Sequence, residues 1–147
     1  MRVGIASDHT GIEVKKSLIE YLETLGYQVI NYGTDTTNSV DYPIYAFEIG
    51  EAVINKEIDR GILICRTGIG MCIAGNKVKG IRCAKADNEN EAKYTRIDND
   101  SQVLALSALN DIDRLKSICK VFLETEFSNE ERHLRRVDLI RDYENEY

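Results

Sequence analysis

The chain has 147 residues, 43% of them apolar and 30% charged, with a formal net charge of −6. That balance belongs to a globular domain; the acidity argues against the broad basic surface that nucleic acid demands, and no apolar run approaches the ~18–20 residues that span a bilayer. The N-terminus, MRVGIASDHTG, lacks the long apolar stretch of a secretory signal, so we expect one cytoplasmic domain over residues 1–147 with no nucleic-acid or membrane partner.

RVGIA (2–6) reads as a strand, and Ile12, Leu18, Leu22 and Leu25 recur at helical spacing until Gly26 stops them. QVINY (28–32) is the next strand. GTDTTNSVDYP follows as a loop ended by Pro43, and Tyr45 to Ile54 reads as a helix. GILIC (61–65) shows little polar alternation, as expected of a strand covered on both faces. Residues 69–77 read as a helix, IRCAKA (81–86) as a strand, Glu89–Arg96 as a helix and QVLAL (102–106) as a strand. Asp111 or Asp113 caps a helix that reaches about Thr125, and a charged helix, roughly 129–146, closes the chain.

Strands alternating with helices predict an α/β fold: a Rossmann-like, doubly wound, five-stranded parallel sheet with a C-terminal helix. Ligands of such sheets sit beyond the carboxyl ends of the strands. That places Asp8, His9, Gly33, Thr34, the Cys65–Gly70 loop and Asp87 along one rim. The final helix has no strand after it, and so packs across the rim or onto a second subunit.

Cys65, Cys72, Cys83 and Cys119 form no CxxC pair and have no zinc-like spacing with the two histidines, so four reduced thiols and no metal site are expected. Cys72 and Cys119 fall on helical apolar faces and Cys83 in a strand, and all three read as core. Cys65 opens CRTGIGM, a glycine-bearing turn between a strand and a helix. A dinucleotide loop needs a third glycine where Ile73 stands, and a Walker loop needs a Gly-Lys-Ser/Thr ending that is missing. A cysteine phosphatase loop needs arginine at Met71. What remains is a thiol facing backbone N–H groups at a helix N-terminus, a setting that favours thiolate. Such a thiolate suits attack on a carbonyl, or removal of a proton beside one while the N–H groups hold the resulting oxyanion. The alternative is a small hydrophobe buried at a strand end.

ASDHTG (6–11), GYQVINYGT (26–34), VDYP (40–43), GILICRTGIGMCIAGNK (61–77), GIR (80–82), NDSQVLAL (99–106) and ERHLRRV (131–137) occur in order along the chain. Together they resemble the type B ribose-5-phosphate isomerases and the related galactose-6-phosphate isomerases over nearly the whole length. CxTGxG followed by AxNK is the most specific element. The resemblance implies an aldose–ketose isomerase of a small sugar phosphate, ribose 5-phosphate and ribulose 5-phosphate first, working through a cis-enediol without metal or organic cofactor. It implies Cys65 as the base that moves a proton between C1 and C2, and N–H groups around Thr67, Gly68, Ile69 and Gly70 on the enediolate oxygen. Thr67 matches a residue that assists ring opening, Asp8 and Tyr42 match sugar contacts, and His9, Arg132 and Arg136 match the phosphate set. Asn99 matches a residue that reaches the sugar from a neighbouring subunit, as befits a homodimer or homotetramer with shared active sites.

Arg132 and Arg136 are four apart on one helical face, about 5–6 Å between Cβ atoms, so two guanidinium forks could grip one phosphate. Their alternative is a solvated helix in which Glu130, Glu131, Asp138 and Glu144 pair with the arginines. His133 reads as a surface residue. Three positions depart from the pattern. Asp98 stands where ribose-type members carry a ring-opening histidine, Arg66 follows the cysteine in place of glycine, and Leu109 replaces a phosphate-binding arginine. Ring opening then passes to Asp98 with Thr67, or is not needed. A tetrose 4-phosphate cannot close a furanose ring, which keeps it, a hexose 6-phosphate and a non-catalytic sugar-phosphate binding module as alternatives. Arg66 would either favour the Cys65 thiolate or supply the cation missing at Leu109.

Overall fold

The computed structural model describes residues 1–147. In chain order its elements are β1 (Arg2–Ser7), α1 (Ile12–Thr24), β2 (Gln28–Asn31), α2 (Tyr42–Ile54), β3 (Arg60–Cys65), α3 (Ile69–Gly75), β4 (Cys83–Lys85), α4 (Glu89–Asn99), β5 (Val103–Ser107), α5 (Ile112–Glu124) and α6 (Glu131–Glu146). The strands form one five-stranded sheet in the order β2-β1-β3-β5-β4, every pair parallel. This is the doubly wound α/β sheet expected from the alternation of elements, with β3 at its centre.

The missing polar alternation in GILIC has its cause in the two layers that cover β3. Ile62 and Ile64 join Val3, Ile5, Leu104 and Leu106 beneath α1 and α5, where Leu18, Leu22, Ile118 and Phe122 close that core. Leu63 and Cys65 face the other way, with Ala6, Val103 and Ala105, onto Ala46 and Ile49 of α2 and Met71 and Ala74 of α3. A strand buried on both sides gains at each apolar position, on the order of 25 cal/mol per Å² removed from water. No helix is long and apolar enough to cross a membrane.

Of the boundaries that differ from the sequence reading, two move functional residues. The helix expected from Tyr45 starts at Tyr42, with Pro43 in its first turn. Proline loses nothing there, because its fixed φ suits a helix and its missing N–H would have had no intrahelical acceptor. The helix expected to stop at Arg96 runs on through Asp98 and Asn99, ended by Asp100 at φ 49°.

Buried cations tie the periphery to this frame. Lys15, 2% exposed, reaches from α1 to the Thr34 carbonyl at 2.6 Å, Asp35 Oδ1 at 2.8 Å and Asn31 Oδ1 at 3.0 Å, which fixes the loop after β2. Arg96, 1% exposed, donates to Asp100 Oδ1, the Ser101 carbonyl and the Thr125 carbonyl at 2.9, 2.8 and 3.1 Å. The outer edge of β4 is closed by a side chain. Asn76 Oδ1 accepts the Cys83 N–H at 2.8 Å while Asn76 Nδ2 donates to the Cys83 carbonyl at 2.7 Å. A primary amide thus meets the free donor and acceptor that an edge strand would otherwise present.

Candidate active site

Cys65 ends β3 with its side chain 5% exposed, and the chain turns sharply beyond it. Gly68 makes the turn at φ 79° and ψ −14° and caps α3. Its N–H points back to Cys65 Sγ at 3.1 Å. A Cβ at Gly68 would lie 2.9 Å from the Leu106 carbonyl carbon in β5, so both the positive φ and the close approach demand glycine. Thr67 Oγ1 accepts the Ile69 N–H at 3.2 Å. The N–H groups of Gly68 and Ile69 are therefore occupied, whereas those of Thr67, Gly70 and Met71 have no protein acceptor. These free donors beside the sulfur are the ones an oxyanion can use.

The C-terminal end of β1 adjoins this turn, for Asp8 N–H donates to the Ile64 carbonyl at 3.1 Å. Asp8 is 7% exposed, and its Oδ1 accepts from Thr10 N and Thr10 Oγ1 at 2.9 and 2.5 Å, leaving Oδ2 without a protein partner. His9 Nδ1 accepts the Val40 N–H at 3.2 Å, which leaves Nε2 as the ring's donor. The Tyr42 ring lies over Gly70, its hydroxyl 2.9 Å from the Cβ position that glycine leaves empty. The early start of α2 is what brings that ring here. Asp8, His9, Tyr42, Cys65, Arg66, Thr67, Gly68, Ile69 and Gly70 thus share one rim.

Lys85 joins this rim without having been singled out in the sequence, although a cation near the carboxyl end of the strand run IRCAKA was a signal. Its stem passes 3.2 Å from the empty Cβ position of Gly68, and its ammonium is hydrogen-bonded to Asp87 Oδ2. Asn110 Nδ2 donates to the other Asp87 oxygen at 3.0 Å. The Lys85 hydrogen bond, helped by Asn110, holds the Asp87 carboxyl below its ordinary range. Arg66 and Leu109 are exposed; the Arg66 carbonyl accepts the Ser107 hydroxyl at 2.8 Å, and the guanidinium makes no ion pair with any carboxylate of this chain.

Asp98, Asn99, Arg132 and Arg136 are elsewhere. A helix that follows a parallel strand carries the chain back to the amino ends of the sheet, so the end of α4 lies at the rim opposite Cys65. The Asn99 carbonyl accordingly accepts from Arg82 Nε, just before β4, at 2.8 Å. At about 3.3 Å per residue, strands of five or six residues separate the two rims by roughly 17–20 Å. Asp98 meets His133, whose Nε2 is 3.3 Å from its Oδ1. His133 is 7% exposed, so the reading of it as a surface residue is corrected: α6 packs on α4 and buries it. Arg132 pairs with Glu130 at 2.5 Å, while Arg136 is exposed without an ion pair. The largest concavity, about 730 Å³, lies between the β4 edge, α4 and α6 and includes Asn99 but not Cys65. No three His, Cys, Asp or Glu side chains converge on a point where a metal could sit.

The residues singled out in the sequence thus fall into two groups, one at each end of a doubly wound sheet, and the comparisons with known proteins identify the family. The chain belongs to the ribose/galactose isomerase family, whose model matches residues 3–140. It is similar to the ribose-5-phosphate isomerase B of Clostridium thermocellum, with 42% identity, a TM-score of 0.97 and coverage of 100% of this chain and 99% of that one. The ribose-5-phosphate isomerase B of Mycoplasma genitalium, solved with bound ribulose-5-phosphate, superposes at a TM-score of 0.93 with 39% identity, covering 99% of this chain and 97% of that one. Ribose-5-phosphate isomerase B of Escherichia coli is 36% identical over 140 residues, 95% of this chain and 93% of its own. The protein is an enzyme, a sugar-phosphate isomerase.

Proposed function

We propose that this enzyme interconverts ribose 5-phosphate and ribulose 5-phosphate, with Cys65 as the base. The observation that carries the reading is the Gly68 N–H donated to Cys65 Sγ at 3.1 Å, beside N–H groups that have no protein acceptor. In the aldose-to-ketose direction the Cys65 thiolate takes the C2 proton of the open-chain sugar. The electron pair moves into the C1 carbonyl, giving a cis-enediolate whose O1 the Thr67, Gly70 and Met71 N–H groups hold; O1 then takes a proton as the C2 hydroxyl gives one up, and the thiol returns its proton to C1 as the C2 carbonyl forms. Asp8 Oδ2 and the Tyr42 hydroxyl are placed to orient the sugar hydroxyls, and the remaining His9 donor faces the phosphate. No step calls on a metal or organic cofactor.

Ring opening falls to groups at the opposite rim, supplied by a second copy. Asp98 there has an imidazole beside it, so the histidine absent from position 98 is replaced by His133 on α6, and the pair can pass a proton to and from a furanose. Asn99 would reach the sugar, and Arg132 and Arg136 the phosphate, from that same copy. Support comes from the separation of the two half-sites within one chain and from the ribulose-5-phosphate held by the Mycoplasma genitalium relative.

The test is solvent-deuterium incorporation into tetrose, pentose and hexose phosphates by the wild type and by Cys65→Ala. Incorporation at C2 with ribose 5-phosphate, and its loss by about 10²- to 10⁴-fold in the variant, is expected for a general base. Full activity in Cys65→Ala would remove Cys65 from the chemistry. Incorporation confined to tetrose or hexose phosphates would replace the substrate.

A further inference from the structure

Two thiols that the isomerisation does not use meet where α3 crosses the outer edge of β4. Cys72 Sγ lies 3.4 Å from the Cys83 carbonyl oxygen and 3.8 Å from Asn76 Nδ2. Cys83 Sγ lies 3.1 Å from the empty Cβ position of Gly75, one turn along α3 from Cys72, so both sulfurs sit in the same seam. Cys83 is 7% exposed, and Cys72, expected in the core, is only half-buried at its margin. Cys72 therefore stands at the solvent margin of the seam, and Cys83 is held behind it.

We propose that Cys72 and Cys83 form a reversible oxidation site that takes a small hydroperoxide and closes to a disulfide tying α3 to β4. The chemistry divides between the two sulfurs. The Cys72 thiolate attacks a peroxide oxygen; the S–O bond forms as the O–O bond breaks, and the departing hydroxide takes a proton and leaves as water. The Cys83 sulfur then attacks Cys72 sulfur; the S–S bond forms, the S–O bond breaks, and the Cys83 proton leaves with that hydroxide as a second water. Both sulfurs are oxidised and the peroxide is reduced.

The electrostatics of the seam fit these roles. A hydrogen bond from Cys83, helped by the N–H and the ammonium of Lys85, holds the Cys72 thiol down to about 6. The same hydrogen bond, with burial, pushes Cys83 well up, so it keeps the proton it shares. Cys83 and Lys85, both on β4, are the titratable groups that act on the Cys72 sulfur. Cys119, pushed up to about 12 by burial, has no such partner and stays inert.

The experiment treats the native full-length protein with a small excess of hydrogen peroxide, quenches with an alkylating agent, and maps peptides by mass. The expected product has lost two hydrogens, carries a 72–83 crosslink, and regains its mass on reduction. Cys83→Ser should stop at a sulfenic acid on Cys72 that dimedone traps, and Cys72→Ser should leave Cys83 unmodified. Cys72 left reduced while Cys65 is oxidised, or a crosslink absent from the wild type, would overturn the proposal, and neither outcome depends on which sugar phosphate is turned over.

Discussion

Gly68→Ala tests the turn that aims an N–H at Cys65. Two costs can be worked from the geometry. Gly68 sits at φ 79°, where an L-residue pays about 1–2 kcal/mol for left-handed backbone. The new methyl would meet the Leu106 carbonyl carbon at 2.9 Å and oxygen at 3.1 Å, atoms of a buried strand paired on both sides, which cannot retreat as a side-chain tip can. Overpacking of that kind costs roughly 1–3 kcal/mol, so the total should be about 2–5 kcal/mol of stability. Gly26→Ala is the matched control. Gly26 has φ 91° but nothing within 4 Å of a Cβ, so only the backbone cost of about 1–2 kcal/mol remains. Urea unfolding of both variants at equal m-values measures the difference, and steady-state kinetics measures whether turnover falls with the displaced N–H. Equal destabilisation of the two would refute the claim that β5 is unyielding. A destabilised Gly68→Ala with unchanged kcat would refute the role of the Gly68 N–H in holding the Cys65 sulfur.

Two further outcomes follow from elements on opposite rims. On the proposed site shared between the two copies of a dimer, Cys65→Ala and Asn99→Ala should each be inactive alone; mixed and reassembled, they should regain about a quarter of the wild-type activity, since half of such dimers would be mixed with half their sites intact. No regain on mixing, with mixed dimers verified by native mass spectrometry, would place both groups in one chain's site. Arg96→Met should destabilise the fold by about 1–3 kcal/mol in denaturant unfolding, because it leaves the buried Ser101 carbonyl without its donor while Asp100 keeps Arg82; a loss under about 0.5 kcal/mol would mean that water reaches that carbonyl.

The strands and the rim were legible because each leaves a local trace. Burial on two faces writes an unbroken aliphatic run, as in GILIC and QVLAL, and the rule that ligands gather at carboxyl ends then aligns Asp8, His9 and Cys65. Tyr42 was harder, because the pattern of apolar residues begins at Tyr45 and the earlier start depends on proline's fit to a first turn. His133 could not be placed from its neighbours. ERHLRRV gives it one apolar companion at helical spacing, Val137, among charged neighbours, and the partner that meets it, Asp98, stands on a helix far away in the sequence. Lys85 and Cys72 are similar cases. Their partners come from elements that only the sheet order brings together. The opposed positions of Cys65 and Asn99 required the direction of α4, which a motif match does not carry.

The Asn76 amide that faces Cys83 also constrains how copies of this chain can meet. A parallel strand's outer ladder is the ordinary template on which another chain extends a sheet, in fibrils as in functional assemblies. Here the first rung of that ladder is already spent on a side chain, and the groove beside it is lined by Ile140 and Tyr143 of α6 and by Tyr147 just after it. A molecule approaching this flank would therefore meet side chains rather than an open backbone ladder.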